Sequence, residues 1–211
     1  MNSPSKMPTT VKFIYFDLGN VLFNFDHSLI CEQVSEVSGV PTGDICGFIE
    51  QGDWSHQLET GSVTLAQIHG EFCQSFKATL PLDQFETAMS DIFEMNAPVL
   101  PLVTMLLAAN FPVGILSNTS QPHWDFLASR YRLLRKFPVV ALSYEIGVMK
   151  PDLDIYERST ELARVAPQNI LFTDDRSDNV EGALAAGWQA VQFESASQVS
   201  EEFRRRGVLF N

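Results

Sequence analysis

The chain has 211 residues, 45% of them hydrophobic, and a net charge of −12. This is ample material for a packed core, which excludes a disordered chain, and the acidic balance argues against nucleic acid as a partner, since counterion release needs a basic face. Apolar stretches such as Val99–Val103 are far too short to span a bilayer.

Taken in chain order, Met1–Thr10 is small and polar, with prolines at positions 4 and 8 and no apolar segment, and reads as a loose terminus and not as a secretory leader. Lys12–Phe16 is apolar, β-branched and aromatic, and it stops abruptly at Asp17, followed by Leu18, Gly19 and Asn20. That pattern predicts a buried strand delivering a carboxylate at its carboxyl end. Residues 24–95 then read as amphipathic helices over 28–38, 43–51, 64–77 and 82–94, punctuated by Gly39, Pro41, Gly52, Gly61 and Pro81, with no competing strand pattern. This stretch holds twelve acidic residues against Lys77 alone, a net of −11 that leaves about −1 for the rest. Cys31, Cys46 and Cys73 form no close-spaced pair and are expected to be buried, reduced thiols of a cytoplasmic protein.

The strand theme returns twice. Residues 112–116 run into Ser117, Asn118 and Thr119, and residues 170–172 run into Thr173, Asp174 and Asp175; helical patterns follow at 121–131 and 178–187. Alternating strands and helices predict a parallel sheet wrapped by helices, with ligands beyond the strands' carboxyl ends. Between these segments Lys150 lies in a loop that opens a helix over 152–164, and Arg204–Arg206 reads as a helix end complementing its dipole.

Neighbouring parallel strands lie ~5 Å apart, so Asp17, Asp174 and Asp175 would crowd one crevice if their strands pair. At an effective dielectric of ~20, two such charges ~4 Å apart repel by roughly 4 kcal/mol. A divalent cation removes that cost, and magnesium suits oxygen ligands that leave positions open for phosphate and water. Lys150 supplies the counter-charge, the Ser117–Asn118 turn offers donors for an anion, and Asn179 is placed to orient a neighbouring ligand.

The segments 16–21, 116–119, 149–152 and 172–183, taken together and in this order, resemble the four motifs of the haloacid dehalogenase superfamily. The resemblance covers residues 11 to 193. It implies an α/β protein with a Rossmann-like parallel sheet core, formed by residues 1–23 and 96–211, and an inserted α-helical cap domain at 24–95. It implies a phosphoric monoester hydrolase that uses Mg2+ and acts on a small phosphorylated metabolite. Asp17 would be the nucleophile that forms an aspartyl-phosphate. Asp17, the Gly19 carbonyl and Asp175 would hold the metal, while Ser117, Asn118 and Lys150 would bind the phosphoryl group, Lys150 also serving catalysis. Asp174 and Asn179 would be supporting residues. The form Asp17-Leu18-Gly19-Asn20-Val21 is similar to the branch containing glucose-1-phosphate phosphatases.

The sequence departs from the family pattern at Gly19, where most family phosphatases carry an aspartate as general acid and base. Such a group is worth ~10²–10⁴-fold in rate. His27, His56 or Asp26 are candidates to replace it. The alternatives are a metal-independent dehalogenase, disfavoured by the retained Asp174–Asp175 pair; a phosphonoacetaldehyde hydrolase, for which Lys77 is the sole candidate Schiff-base lysine; and a degenerate member that binds phosphate or a protein partner. An acidic cap without arginine should repel a second phosphate and present carboxylates, Trp54, His56 and Gln57 to a polyol or sugar.

Overall fold

The structure, a computed structural model, describes residues 10–208; the reading of a loose terminus falls, up to residue 9, outside them. Strand β1 (Phe13–Phe16) is buried along its whole length. Ile14 and Phe16 pack in one apolar cluster, and Phe13 and Tyr15 in another. That is the two-residue alternation of a strand sandwiched between two layers. β1 leads to a short strand, β2 (Phe23–Phe25). Five helices follow: α1 (Ser28–Ser38), α2 (Thr42–Gln51), α3 (Trp54–Glu59), α4 (Leu65–Phe76) and α5 (Leu82–Ser90). Strand β3 (Phe93–Met95) returns antiparallel to β2, pairing Phe23 with Met95 and Phe25 with Phe93.

The remaining elements alternate. They are α6 (Leu100–Ala108), β4 (Val113–Ser117), α7 (Gln121–Arg130), β5 (Val139–Leu142), α8 (Ser143–Ile146), α9 (Leu153–Ala163), β6 (Ile170–Asp174), α10 (Ser177–Ala185), β7 (Gln189–Gln192) and α11 (Ala196–Arg205). The sheet order is β5-β4-β1-β6-β7, with every pairing parallel. The α/β fold with a Rossmann-like parallel core is therefore the one expected from the alternating strand and helix patterns. Three loops leave one sheet edge together, because β1 is central and its neighbours β4 and β6 end level with it. Phe16 pairs with Ile115 on one side and with Thr173 on the other.

The inserted helices have an apolar cluster of their own, built around Val34, Ile45, Ile68, Phe72 and Phe85. Helix α4 starts at a capping box in which the Thr64 hydroxyl accepts from the Gln67 N–H while the Gln67 side chain accepts from Thr64 N–H. Three features of this segment differ from the sequence reading. The helix expected over 82–94 ends at Ser90, and Phe93–Met95 forms a strand instead, so a two-stranded ribbon stands where no strand was expected. The six-residue helix α3 between Gly52 and Gly61 was not anticipated. Finally, Cys31 and Cys46 are joined as a disulfide, which corrects the expectation of three reduced thiols; α1 and α2 pack side by side and bring the two Cα atoms to 5.7 Å. A sequence separation of 15 carries no signal of that helix packing. Cys73 remains free. Among the described residues no helix is long and apolar enough to cross a membrane.

Candidate active site

Asp17 leaves β1 beside the last residue of β6, and its backbone N–H donates to Thr173 O at 3.0 Å. The parallel register therefore sets Asp17 next to Asp174, as two polar residues at the ends of adjacent buried strands. Lys150 Nζ sits between them, 2.8 Å from Asp17 Oδ1 and 2.5 Å from Asp174 Oδ2, and it also donates to Leu116 O at 3.1 Å. The three charged groups are nearly sealed, with Asp17 7%, Lys150 4% and Asp174 0% exposed. Charges buried on this scale are tolerated only when each has a partner, and here one cation serves two anions.

Burial pushes Asp17 up to about 7, with Asp174 adding to the rise and Lys150 opposing it. For Lys150, burial works to lower the value, but Asp17 and then Asp174 outweigh it and hold the ammonium above its ordinary range. The carboxyl raised by burial is that of the nucleophile candidate, the group an added cation would relieve.

Asp174 is fully engaged. Its Oδ1 accepts from Arg176 N–H at 2.9 Å and from Asn179 Nδ2 at 3.0 Å, and its Oδ2 accepts from Lys150 and from Asn179 at 3.1 Å. Asn179 is in turn fixed by the Tyr156 hydroxyl, which donates to its carbonyl at 2.7 Å. Asp175 is half-buried, and its Oδ2 accepts from Asn20 Nδ2 at 2.9 Å. Oxygens of Asp17, Asp174 and Asp175 lie within 4.8 Å of one another. That spacing is close to the ~4.2 Å between opposite ligands of an octahedral magnesium ion, so the residues present fit such a cation.

The Ser117–Asn118 turn follows β4 on the other side of β1. Ser117 is buried, its hydroxyl donating to Asn118 O at 3.3 Å. Both ends of the Asn118 amide are taken up by the Lys150 backbone. Nδ2 donates to Lys150 O at 2.9 Å, and Oδ1 accepts from Lys150 N–H at 2.8 Å. Asn118 thus positions the lysine, which the sequence alone did not show. The Lys150–Pro151 peptide bond is cis.

Gly19 lies in the turn after Asp17, where Asn20 N–H donates to Phe23 O at 2.7 Å. A Cβ at position 19 would stand 2.7 Å from Phe25 Cε1. The Phe25 ring packs on the rings of His27, at 4.8 Å, and Phe93, at 6.0 Å. Any side chain at position 19 would have to displace this ring.

Of the replacements named from the sequence, His27 stacks on Phe25 at 4.8 Å and lines a cavity with Ser120 and His123, and burial lowers its imidazole below the ordinary range. Asp26 is exposed, and its Oδ1 accepts from the N–H and hydroxyl of Ser28, so it caps the turn into α1. His56 is exposed, with Nδ1 3.7 Å from Asp53. Lys77 stands exposed at the end of α4. Gln57 is turned to Gly52 O, to which its Nε2 donates at 2.8 Å. Glu59, the last residue of α3, is half-buried; burial raises its carboxyl, and of the nearby charges Lys150 acts on it most strongly, ahead of His56 and Arg176.

The site thus combines a carboxylate at the end of the central strand of a parallel sheet, a buried lysine bridging it to a second strand-end carboxylate, and a helical insertion after that first strand. The chain belongs to the haloacid dehalogenase-like hydrolase family, which it matches over residues 11–187. It is 26% identical to a phosphatase of Mycobacterium tuberculosis over 91% of each chain. To the D-ribitol-5-phosphate phosphatase of Bacteroides thetaiotaomicron it is 22% identical, over 91% of this chain and 96% of that protein. Among solved structures it is similar to a HAD-family enzyme of Bacteroides thetaiotaomicron crystallised as a magnesium complex. There the identity is 25% and the TM-score 0.77, over 93% of this chain and 100% of the other.

Proposed function

We propose that the protein is a magnesium-dependent phosphatase that transfers the phosphoryl group of a small phosphomonoester to Asp17 and then to water. The observation that carries this reading is the buried Asp17–Lys150–Asp174 cluster with Asp175 at its open edge. Asp17 attacks phosphorus, and the Lys150 ammonium and the Ser117 hydroxyl offset charge on the transferring oxygens. Asn118 holds Lys150 in place, and Asn179 orients Asp174. Asp17, the Gly19 carbonyl and Asp175 hold the cation, because the oxygens of Asp174 already accept from Lys150, Asn179 and Arg176. The bound ion supplies charge neutralisation for the phosphate and keeps the Asp17 carboxylate ionised.

Residues 24–95 act as a cap domain over the strand ends, and residues 1–23 and 96–211 form the core. With a net of −11 and no arginine, the cap disfavours a second phosphate, so the substrate is a monophosphate of a neutral polyol or sugar. The relative that acts on D-ribitol-5-phosphate and the similarity of residues 17–21 to the glucose-1-phosphate phosphatase branch both support this class.

The test is phosphate release from a panel of monophosphates, bisphosphates and nucleotides, with and without EDTA. Turnover of polyol or sugar monophosphates that EDTA abolishes is expected, whereas preference for a bisphosphate or nucleotide contradicts the substrate class. In the same assay Asp175→Asn should raise the magnesium concentration for half-maximal rate at least tenfold more than Asp174→Asn does. Equal shifts would move the ligand assignment to Asp174.

A further inference from the structure

We infer that Asn20, in the turn after the nucleophile candidate, is a positioning residue for the metal: its amide holds Asp175 so that this carboxylate, and not that of Asp174, is presented to the cation. The inference rests on the phosphatase reading above, in which Asp17, the Gly19 carbonyl and Asp175 hold magnesium.

The hydrogen bonds to the three carboxylates differ in a telling way. Both oxygens of Asp174 are taken, Oδ1 by Arg176 N–H and Asn179, Oδ2 by Lys150 and Asn179. Asp17 Oδ1 accepts from Leu18 N–H at 2.7 Å and lies 2.8 Å from Lys150 Nζ. Asp175 Oδ2 accepts from Asn20 Nδ2 at 2.9 Å. Among the described residues this leaves Asp17 Oδ2 and Asp175 Oδ1 as the carboxylate oxygens of the cluster to which no protein group donates. A carboxylate with one oxygen held by a donor has its orientation fixed, and its other oxygen is aimed at a ligand position. No other side chain holds Asp175, since Gln192 Nε2 donates only to its backbone carbonyl, at 2.9 Å. Without the Asn20 amide the half-buried Asp175 carboxylate would be free to turn.

The backbone at position 20 places the amide. Asn20 has φ +53°, a region that glycine enters at no steric cost and asparagine more readily than most other residues. The turn is closed on both sides. Leu22 N–H and Phe23 N–H donate to Leu18 O at 3.0 and 2.8 Å, and Asn20 N–H donates to Phe23 O at 2.7 Å. Gly19, whose carbonyl is a ligand candidate, directly precedes this fixed residue, and the Asn20 side chain crosses from it to the loop after β6. Residues 155 positions apart are thereby joined. The groups at the β1 and β6 ends are set relative to each other before a cation arrives, and affinity rises because Asp175 need not be ordered on binding. The Asn20–Asp175 bond is itself exposed and adds little to folding stability. Its effect should fall on the metal.

Metal binding to the full-length protein, stripped with EDTA and free of substrate, tests this separately from turnover. Mn2+ binding is read from the free-ion electron paramagnetic resonance signal, with Mg2+ as competitor. Asn20→Gly keeps the left-handed turn and removes the amide. It should weaken Mg2+ binding ~10-fold or more, within the ~10–100-fold that loss of a ligand-orienting group costs, while the melting temperature in EDTA stays near that of the wild type. Because Asn20 acts through Asp175, the two losses should not add. In an Asp175→Asn background the same substitution should change Mg2+ affinity by less than about threefold. An Asn20→Gly variant that binds Mg2+ as tightly as the wild type, or a loss that persists in full in the Asp175→Asn background, overturns the role of Asn20 and leaves the phosphatase reading standing. A wild type that binds no Mg2+ overturns the metal assignment on which both rest.

Discussion

Asp17→Asn is expected to reduce phosphate release at least ~10⁴-fold, since an amide oxygen is a poor nucleophile and no neighbouring group stands in its place. The fold should survive. Asparagine still offers an oxygen to Leu18 N–H, which donates to Asp17 Oδ1 at 2.7 Å. Lys150 keeps Asp174 at 2.5 Å and Leu116 O at 3.1 Å. Removing one buried anion leaves a one-to-one ion pair, so circular dichroism and the melting temperature should stay near those of the wild type. Residual turnover close to wild type would remove Asp17 from the chemistry.

Lys150→Met should be harmful in a different way. It leaves Asp17 and Asp174 facing each other without their shared cation, in a site that is almost closed to water. Breaking a buried pair in this manner costs about 3–5 kcal/mol, and each kcal/mol lowers the melting temperature of a chain this size by roughly 2–4 °C. Activity should be lost together with stability. The pH dependence separates this cause from simple loss of packing. Without the lysine the buried Asp17 carboxyl loses the cation that opposes its rise, so the folded state binds more protons than the unfolded chain and its stability falls as pH rises from the ordinary carboxylate range toward 7. Thermal melts at pH 5 and pH 8 should therefore show a smaller deficit at pH 5. An equal deficit at both would mean that the lysine acts through its packing alone.

The parts of the molecule that could be read from the sequence are those where a periodic signal meets a polar stop. Residues 13–16 are apolar on both faces because β1 is the central strand of a parallel sheet, and that same position delivers Asp17 to the cleft. The β4 and β6 ends are legible for the same reason. The ribbon of β2 and β3 was not, because three residues each, Phe-Asn-Phe and Phe-Glu-Met, are too few to set up an alternation. Helix α3 is likewise too short for a helical period to show between its flanking glycines. The contact of Asn118 with Lys150 was hidden as well, since nothing local in the sequence pairs that amide with the Lys150 backbone.

The most direct measurement is mass spectrometry of the enzyme quenched in acid during steady-state turnover with magnesium and a good substrate. A phosphoryl group should be found on the peptide that contains Asp17, and it should be absent when the substrate is omitted. Rapid turnover with no covalent phosphate on Asp17, or with the label on another side chain, would contradict the account.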